Sequence, residues 1–241
     1  MNVDPKDPHL IRAMHLDPEI RRLSRELFDK MCRYRYSYNF SWLGRPIIQF
    51  PQDIVAIQEL IWSIKPDLIV ETGIAHGGSL ILSASMLQLI GGSGLAVGID
   101  VDIRAHNRSA VESHPLKDRL LMIEGSSIDP AVVARVHGLA QGKSCAFVVL
   151  DSNHTHAHVL RELELYSPLV RRGSYVVVMD TVIEDMAPDF FPDRPWGRGD
   201  NPKTAVRAFL SRNDRFEVDT DIEAKLLLTV APGGYLKCVK D

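Results

Sequence analysis

The sequence predicts an α/β protein: a doubly wound, mostly parallel, Rossmann-like sheet of seven strands ending in an antiparallel hairpin, with an N-terminal helical extension. Three observations predict it. Short apolar runs rich in Val, Ile and Leu near 67–71, 95–100, 119–123, 145–150 and 174–179 alternate with helix-length stretches, as expected for parallel strands covered on both faces. The first run passes straight into a glycine-bearing turn, Glu71-Thr-Gly73 to Gly77-Gly-Ser79, that opens a helix. Small residues between a parallel strand and a helix N-terminus let backbone N–H groups approach a ligand closely. The closing segment then changes character, with strand-like runs at 215–218, 223–230 and 234–239 and a Pro232-Gly-Gly234 turn between the last two.

The elements follow in chain order. Residues 17–33 place Ile20, Leu23, Leu27 and Met31 on one helical face, with Asp17 as N-cap and Pro18 at the first helical position. Tyr34 to Phe50 is aromatic and irregular and reads as a loop over the domain edge. Pro51 to Ile64 is a second helix, closed by Lys65-Pro66. Further helices are expected near 77–90, 103–112, 129–140 and 154–170, then a loop over 181–201 and a helix over 202–212. The chain divides into a helical extension at 1–50, serving substrate or oligomer contacts, and a catalytic α/β domain at 51–241. A doubly wound sheet closed by an antiparallel hairpin is the outline of the class I methyltransferase fold, whereas dinucleotide-binding dehydrogenase domains usually end on another parallel strand.

Composition narrows the class. With 241 residues, 45% hydrophobic and 24% charged, the chain suits one large soluble domain with additions. A net charge of −3 gives no electrostatic case for nucleic acid or an anionic membrane. Cys32, Cys145 and Cys238 lie far apart without a CxxC pair, as expected of reduced thiols in a cytoplasmic protein. The polar start, Met1 to Pro8, lacks a signal-peptide core, and no apolar run approaches the ~18–20 residues of a membrane span.

Ligands of open α/β sheets sit beyond the carboxyl ends of the strands, so the strand tips carry the candidate site. The first tip offers Glu71 and Gly73, with Gly77 and Ser79 opening the helix. The second offers Asp100, a carboxylate suited to a ribose diol, with helix capping as the alternative. The third offers Ser127, which either contacts an adenine edge or starts the next helix. Asp151 and Asp180 end the fourth and fifth runs. Neighbouring parallel strands lie ~4.8 Å apart, so the two acids share one small space, unless both merely cap helices. Paired carboxylates without thiolates favour a hard divalent ion, Mg²⁺ first, and His154 is placed to take a proton from a hydroxyl there. In His154-Thr-His156-Ala-His158 the Glu of a zinc-protease HExxH is absent, so His156 and His158 read as helix-surface residues.

Several segments together resemble a known family: Trp42-Leu-Gly-Arg-Pro46 with Pro51-Gln-Asp53, Pro66-Asp-Leu-Ile-Val-Glu-Thr-Gly73 with Gly77-Gly-Ser79, Leu150-Asp-Ser-Asn-His154, Leu169-Val-Arg-Arg-Gly-Ser-Tyr175 and Gly233-Gly-Tyr-Leu236. The combination, over about residues 35–240, is similar to the cephalosporin hydroxylase family, which includes rhamnosyl O-methyltransferases. The resemblance implies the S-adenosylmethionine (SAM) methyltransferase fold and Mg²⁺-assisted methylation of a hydroxyl on a small molecule, a sugar or a glycosylated natural product. It implies cofactor contacts at Glu71, Gly73, Ser79 and Asp100, a metal ligand at Asp151 and a base at His154. Relatives usually end the fifth strand with two acids, whereas this chain has Met179-Asp180. A thioether is a poor Mg²⁺ ligand, so Asn153, Glu184, Asp185 or the substrate would have to supply the missing oxygen. Segments 34–50 and 181–201, the latter with Phe190, Phe191 and Trp196, are the expected substrate walls, and analogy suggests a homo-oligomer.

Two other classes compete. A SAM-fold accessory protein acting with a partner enzyme draws support from Met179, and a nicotinamide oxidoreductase is disfavoured by the lack of a GxGxxG turn and by the hairpin ending. Calorimetry is expected to show binding of S-adenosylhomocysteine (SAH) and none of NAD⁺; binding of NAD⁺ alone would remove the methyltransferase reading.

Overall fold

Asp7, Asp17, Asp129 and Asn201 each accept hydrogen bonds from the first backbone N–H groups of a helix whose first residue is proline. The cap satisfies orphan donors and the ring presets φ, so these four starts are encoded locally. In the computed structural model, which describes residues 6–241, they open α1 (Pro8–Leu16), α2 (Pro18–Arg33), α6 (Pro130–Ala140) and α8 (Pro202–Leu210). The first five residues of the polar start lie outside the described residues. The other helices are α3 (Pro51–Ile64), α4 (Gly78–Ile90), α5 (Ala105–Glu112), α7 (His156–Tyr166) and α9 (Thr220–Leu226). No helix among the described residues is long and apolar enough to cross a membrane.

The strands are β1 (Phe40–Trp42), β2 (Arg45–Ile47), β3 (Leu68–Thr72), β4 (Leu95–Asp100), β5 (Leu120–Glu124), β6 (Ala146–Leu150), β7 (Tyr175–Val178), β8 (Phe216–Val218) and β9 (Tyr235–Cys238). Seven of them form one sheet in the order β5-β4-β3-β6-β7-β9-β8. Strands β3 to β7 pair in parallel, and β9 runs antiparallel to both β7 and β8. Every residue of β3, β6 and β7 is buried, as their unbroken apolar runs require. One face packs on α3, α4 and α5 through Ile57, Leu80 and Val111, the other on α6, α7 and α8 through Val136, Leu163 and Phe209. Full burial of each such side chain contributes about 1.5–3 kcal/mol.

Three expectations change. The 223–230 run is not a strand: Asp219 caps α9 over its first part, and Leu227 at φ 58° ends that helix. The closing antiparallel pair is therefore β8 with β9, and the Pro232-Gly-Gly234 turn only feeds β9. Residues 34–50 are not all loop, because β1 and β2 form a hairpin turning through Leu43 and Gly44, both at positive φ. In α2 the buried residue is Phe28, stacked on Phe50 at 4.7 Å, while Leu23 and Leu27 face outward. The amphipathic period was real, but the partner surface selected the neighbouring stripe.

The topology sets the site. After β3 the chain builds β4 and β5 on one side, then crosses back to place β6 on the other, so the β3 and β6 tips flank a switch point. There the backbones nearly touch. Gly73 donates its N–H to the Ile99 carbonyl at 2.8 Å, and a Cβ at Gly73 would lie 2.1 Å from the Asp151 carbonyl oxygen. Its φ of 87° adds a second objection to any side chain. Gly73→Ala is expected to lower stability by about 2 kcal/mol or more in urea unfolding and to abolish SAH binding by calorimetry.

Candidate active site

A cavity of about 460 Å³ opens at the carboxyl end of the sheet, between the Gly73–Ser79 turn and the ends of β4, β5 and β6. The turn is braced from below. Both Ile74 and Ala75 donate backbone N–H groups to Asp100 Oδ2, at 2.8 and 3.2 Å, and Asp102 donates to Asp100 Oδ1 at 3.2 Å. Asp100 thus lines the cavity and also ties its own strand tip to the turn; the N-cap position of the helix that follows is held by Arg104, without a side-chain capping bond. From outside, Asn107 Nδ2 donates to the Ala75 carbonyl at 2.9 Å, and Arg45 donates to the His76 carbonyl and to Asn107 Oδ1. The β1–β2 hairpin is therefore a wall of this cavity, with Pro46 and Ile47 in its lining. Its carbonyl at Pro46 lies where a Cβ at Gly78 would stand, 2.2 Å away.

Glu71 is 2% exposed and accepts a hydrogen bond from Ser79 Oγ across the turn. Burial pushes its carboxyl up to about 7, against the smaller opposing effect of the Ser79 bond. Gly77, at φ 85°, turns the chain into α4. Ser127 is buried, lines the cavity and caps nothing, since Asp129 caps α6. Of the six residues expected at the cofactor, Gly73, Ser79, Asp100 and Ser127 line this one cavity, whereas Glu71 and Gly77 do not.

The expected catalytic group assembles at the next two tips. Ligand atoms of Asp151, His154 and Asp180 lie within 4.8 Å of one another. His154 Nε2 is 3.2 Å from Asp180 Oδ2, and its ring meets Trp196 edge-on at 4.9 Å. Neither acid caps a helix: Thr155 holds that position for α7, and Asp180, at φ 56°, makes no capping bond with its side chain among the described residues. Burial raises the Asp151 carboxyl well above its ordinary value, followed by repulsion from Asp180 and Glu71. Such a group calls for a cation or a shared proton.

Met179 does not enter this cluster; it is 1% exposed and packed in the core. The three proposed substitutes are engaged elsewhere. Asn153 Oδ1 accepts from Thr155, Glu184 from Gly199 and Asn201, and Asp185 from Lys203. The third side chain beside the two acids is His154. The loop carrying Asp180 is held by a buried knot: Val182 N–H donates to the Val230 carbonyl at 3.1 Å, while Asp53 accepts from Thr229, Val230 and Tyr235. Burial raises the Asp53 carboxyl to about 6.

The expectation for the other histidines is corrected. His158 lines the cavity with its Nε2 at 3.0 Å from Ser127 Oγ, and His156 Nδ1 meets Thr204 Oγ1 at 2.8 Å. Both are claimed by neighbouring elements that sequence spacing does not reveal. Arg45 and Asn107 were missed likewise; Arg45 lies inside the Trp42–Pro46 motif, whereas nothing local marks Asn107.

The sequence profile of the family described as Rhamnosyl O-methyltransferase/CmcI matches residues 34–239. The chain belongs to this family. A rhamnosyl O-methyltransferase of Mycobacterium tuberculosis is 32% identical over 190 residues, 76% of this chain and 72% of that one. Among solved structures, CmcI in its Mg–SAM form aligns with TM-score 0.58 and 17% identity, covering 84% of this chain and 77% of its own. The O-methyltransferase TomG of Streptomyces achromogenes, in complex with SAM, aligns with TM-score 0.53 and 17% identity over 90% of each chain. The family membership and the class I methyltransferase fold meet the expectations of a SAM-dependent O-methyltransferase.

The Glu71 shift has a measurable sign. A carboxyl raised in the folded protein favours folding below its unfolded value near 4.3, and that contribution is lost as pH rises through about 7. Melting temperature should therefore fall between pH 5 and pH 8. In Glu71→Gln, which keeps the acceptor for Ser79, the fall is expected to be smaller; an unchanged slope would contradict the assignment.

Proposed function

We propose that the chain transfers the SAM methyl group to a hydroxyl of a small molecule, a sugar or a glycosylated natural product, using a divalent cation of the Mg²⁺ type. The observation that carries the proposal is the convergence of Asp151, His154 and Asp180 beside the cavity at the switch point. The donor set fits a hard cation: two carboxylates lie together, one of them forced towards protonation when alone. Asp151 and Asp180 would hold it, and when bound it supplies a Lewis acid that eases deprotonation of a nearby hydroxyl. SAM supplies the sulfonium methyl.

The remaining work belongs to the chain. Glu71 and Asp100 fix the turn against which the cofactor lies, with the ribose towards Asp100 and the adenine towards Ser127. Trp196 covers His154 and narrows the approach to one side. As the acceptor oxygen bonds to the methyl carbon and the carbon–sulfur bond breaks, the hydroxyl proton passes to the imidazole of His154, whose charged form is stabilised by Asp180, 3.2 Å from Nε2. Alignment of oxygen, carbon and sulfur supplies much of the acceleration. Phe190 and Phe191 pack with Phe28 and Phe50 beside this approach, an apolar wall that suits a sugar face or an aglycone. Leu10, Leu16, Leu23 and Leu27 stay exposed on the N-terminal helices, which supports the expected homo-oligomer.

Asp151→Ala and His154→Ala are expected to reduce methyl transfer by about a hundredfold or more while SAH affinity stays within a few-fold. Normal turnover by both variants would refute the site. Addition of Mg²⁺ should raise activity and EDTA should remove it; indifference to both would take the cation out of the reaction.

A further inference from the structure

Glu162 lies on α7 with no exposed surface, yet its Oε2 has no hydrogen-bond partner among the described residues. A buried carboxylate satisfied on one side only weakens the fold, and every hydrogen bond that the Glu162 side chain has falls on the other oxygen. Oε1 accepts from Ser127 Oγ at 2.5 Å and from Ser152 Oγ at 2.7 Å. The two serines arrive from the ends of β5 and β6, on opposite sides of β3, and both line the cavity. His158 Nε2, also at the cavity, lies 3.0 Å from Ser127 Oγ, 3.3 Å from Ser152 Oγ and 3.5 Å from Glu162 Oε1. Tyr166 holds the backbone beneath, its hydroxyl donating to the Ser127 carbonyl at 2.6 Å.

Counting protons assigns the roles. Each serine hydroxyl has one proton, and separations of 2.5 and 2.7 Å are those of a hydroxyl donating to a carboxylate. Both protons are committed to Glu162. The imidazole nitrogen facing the same two oxygens must then carry a proton and donate to them. We infer that Glu162 and His158 are positioning residues that lock Ser127 and Ser152 as hydrogen-bond acceptors towards the cavity. The cofactor site thereby selects a 6-aminopurine nucleoside, whose exocyclic amine donates, over its 6-oxo counterpart, whose oxygen meets only lone pairs. The inference rests on the SAM reading and adds a device for choosing the base.

The test is calorimetric titration with SAH and with S-inosylhomocysteine, its 6-oxo analogue. The wild-type chain should prefer SAH by about 30-fold, the scale set by one mismatched hydrogen bond. Glu162→Gln frees a serine hydroxyl to turn and donate, so the preference should shrink below about threefold while SAH still binds. A merely structural role would lower melting temperature without moving the ratio, and an unchanged ratio overturns the inference. If that variant does not fold, the Ser127→Ala, Ser152→Ala double variant takes its place with the same expected loss of preference. Nitrogen-15 NMR of the wild-type chain should find the His158 proton on Nε2; a proton on Nδ1 alone overturns the inference. Wild-type binding of neither ligand refutes the cofactor reading itself, whereas equal binding of both refutes only the base selection.

Discussion

Everything at the catalytic edge depends on how closely the turn after β3 can approach the end of β6. With a hydrogen in place of a side chain at Gly73, the Asp151 carbonyl occupies the space a Cβ would need. The contact is reinforced from both sides, by Asp151 N–H donating to the Thr72 carbonyl at 2.9 Å and by Gly73 N–H donating to Ile99. It brings the glycine-bearing turn into direct contact with Asp151. A separation larger by the width of a methyl group would open the switch point and leave the two half-sites unconnected.

A second constraint is charge. Glu71, Glu162 and Asp53 are buried and Asp151 half-buried near the carboxyl end of the sheet. Such acids are expensive to bury, and the fold meets each differently. Glu71 has a single serine donor, Asp53 has three donors, Glu162 has two on one oxygen, and Asp151 faces Asp180 and His154. The apolar sheet, with every residue of β3, β6 and β7 buried, supplies the stability that offsets this arrangement.

The strands that carry the site were legible because residues buried on both faces must be apolar in unbroken runs, as at Leu68–Val70 and Val176–Val178. Proline after a capping residue marked α2 for a similarly local reason. The strand tips then placed Glu71, Asp100, Ser127, Asp151 and Asp180 at one edge. Residues 223–230 misled the reading because an apolar run that short suits a capped helix and a break as well as a strand. The β1–β2 hairpin was missed because its turn uses Leu43 at positive φ, a position where glycine or asparagine would have announced it.

Sequence by itself determined the doubly wound sheet, the family and the acidic tips, since each follows from periodicity, turn chemistry or contiguous motifs. Tertiary structure alone decided which side chains meet. Arg45 reaches the turn across 31 residues, Asn107 across 32, and Glu162 gathers serines 35 and 10 residues away. It also set Met179 into the core and His154 beside Asp180. Spacing along the chain places residues on elements; only the packing of those elements fixes distances across them.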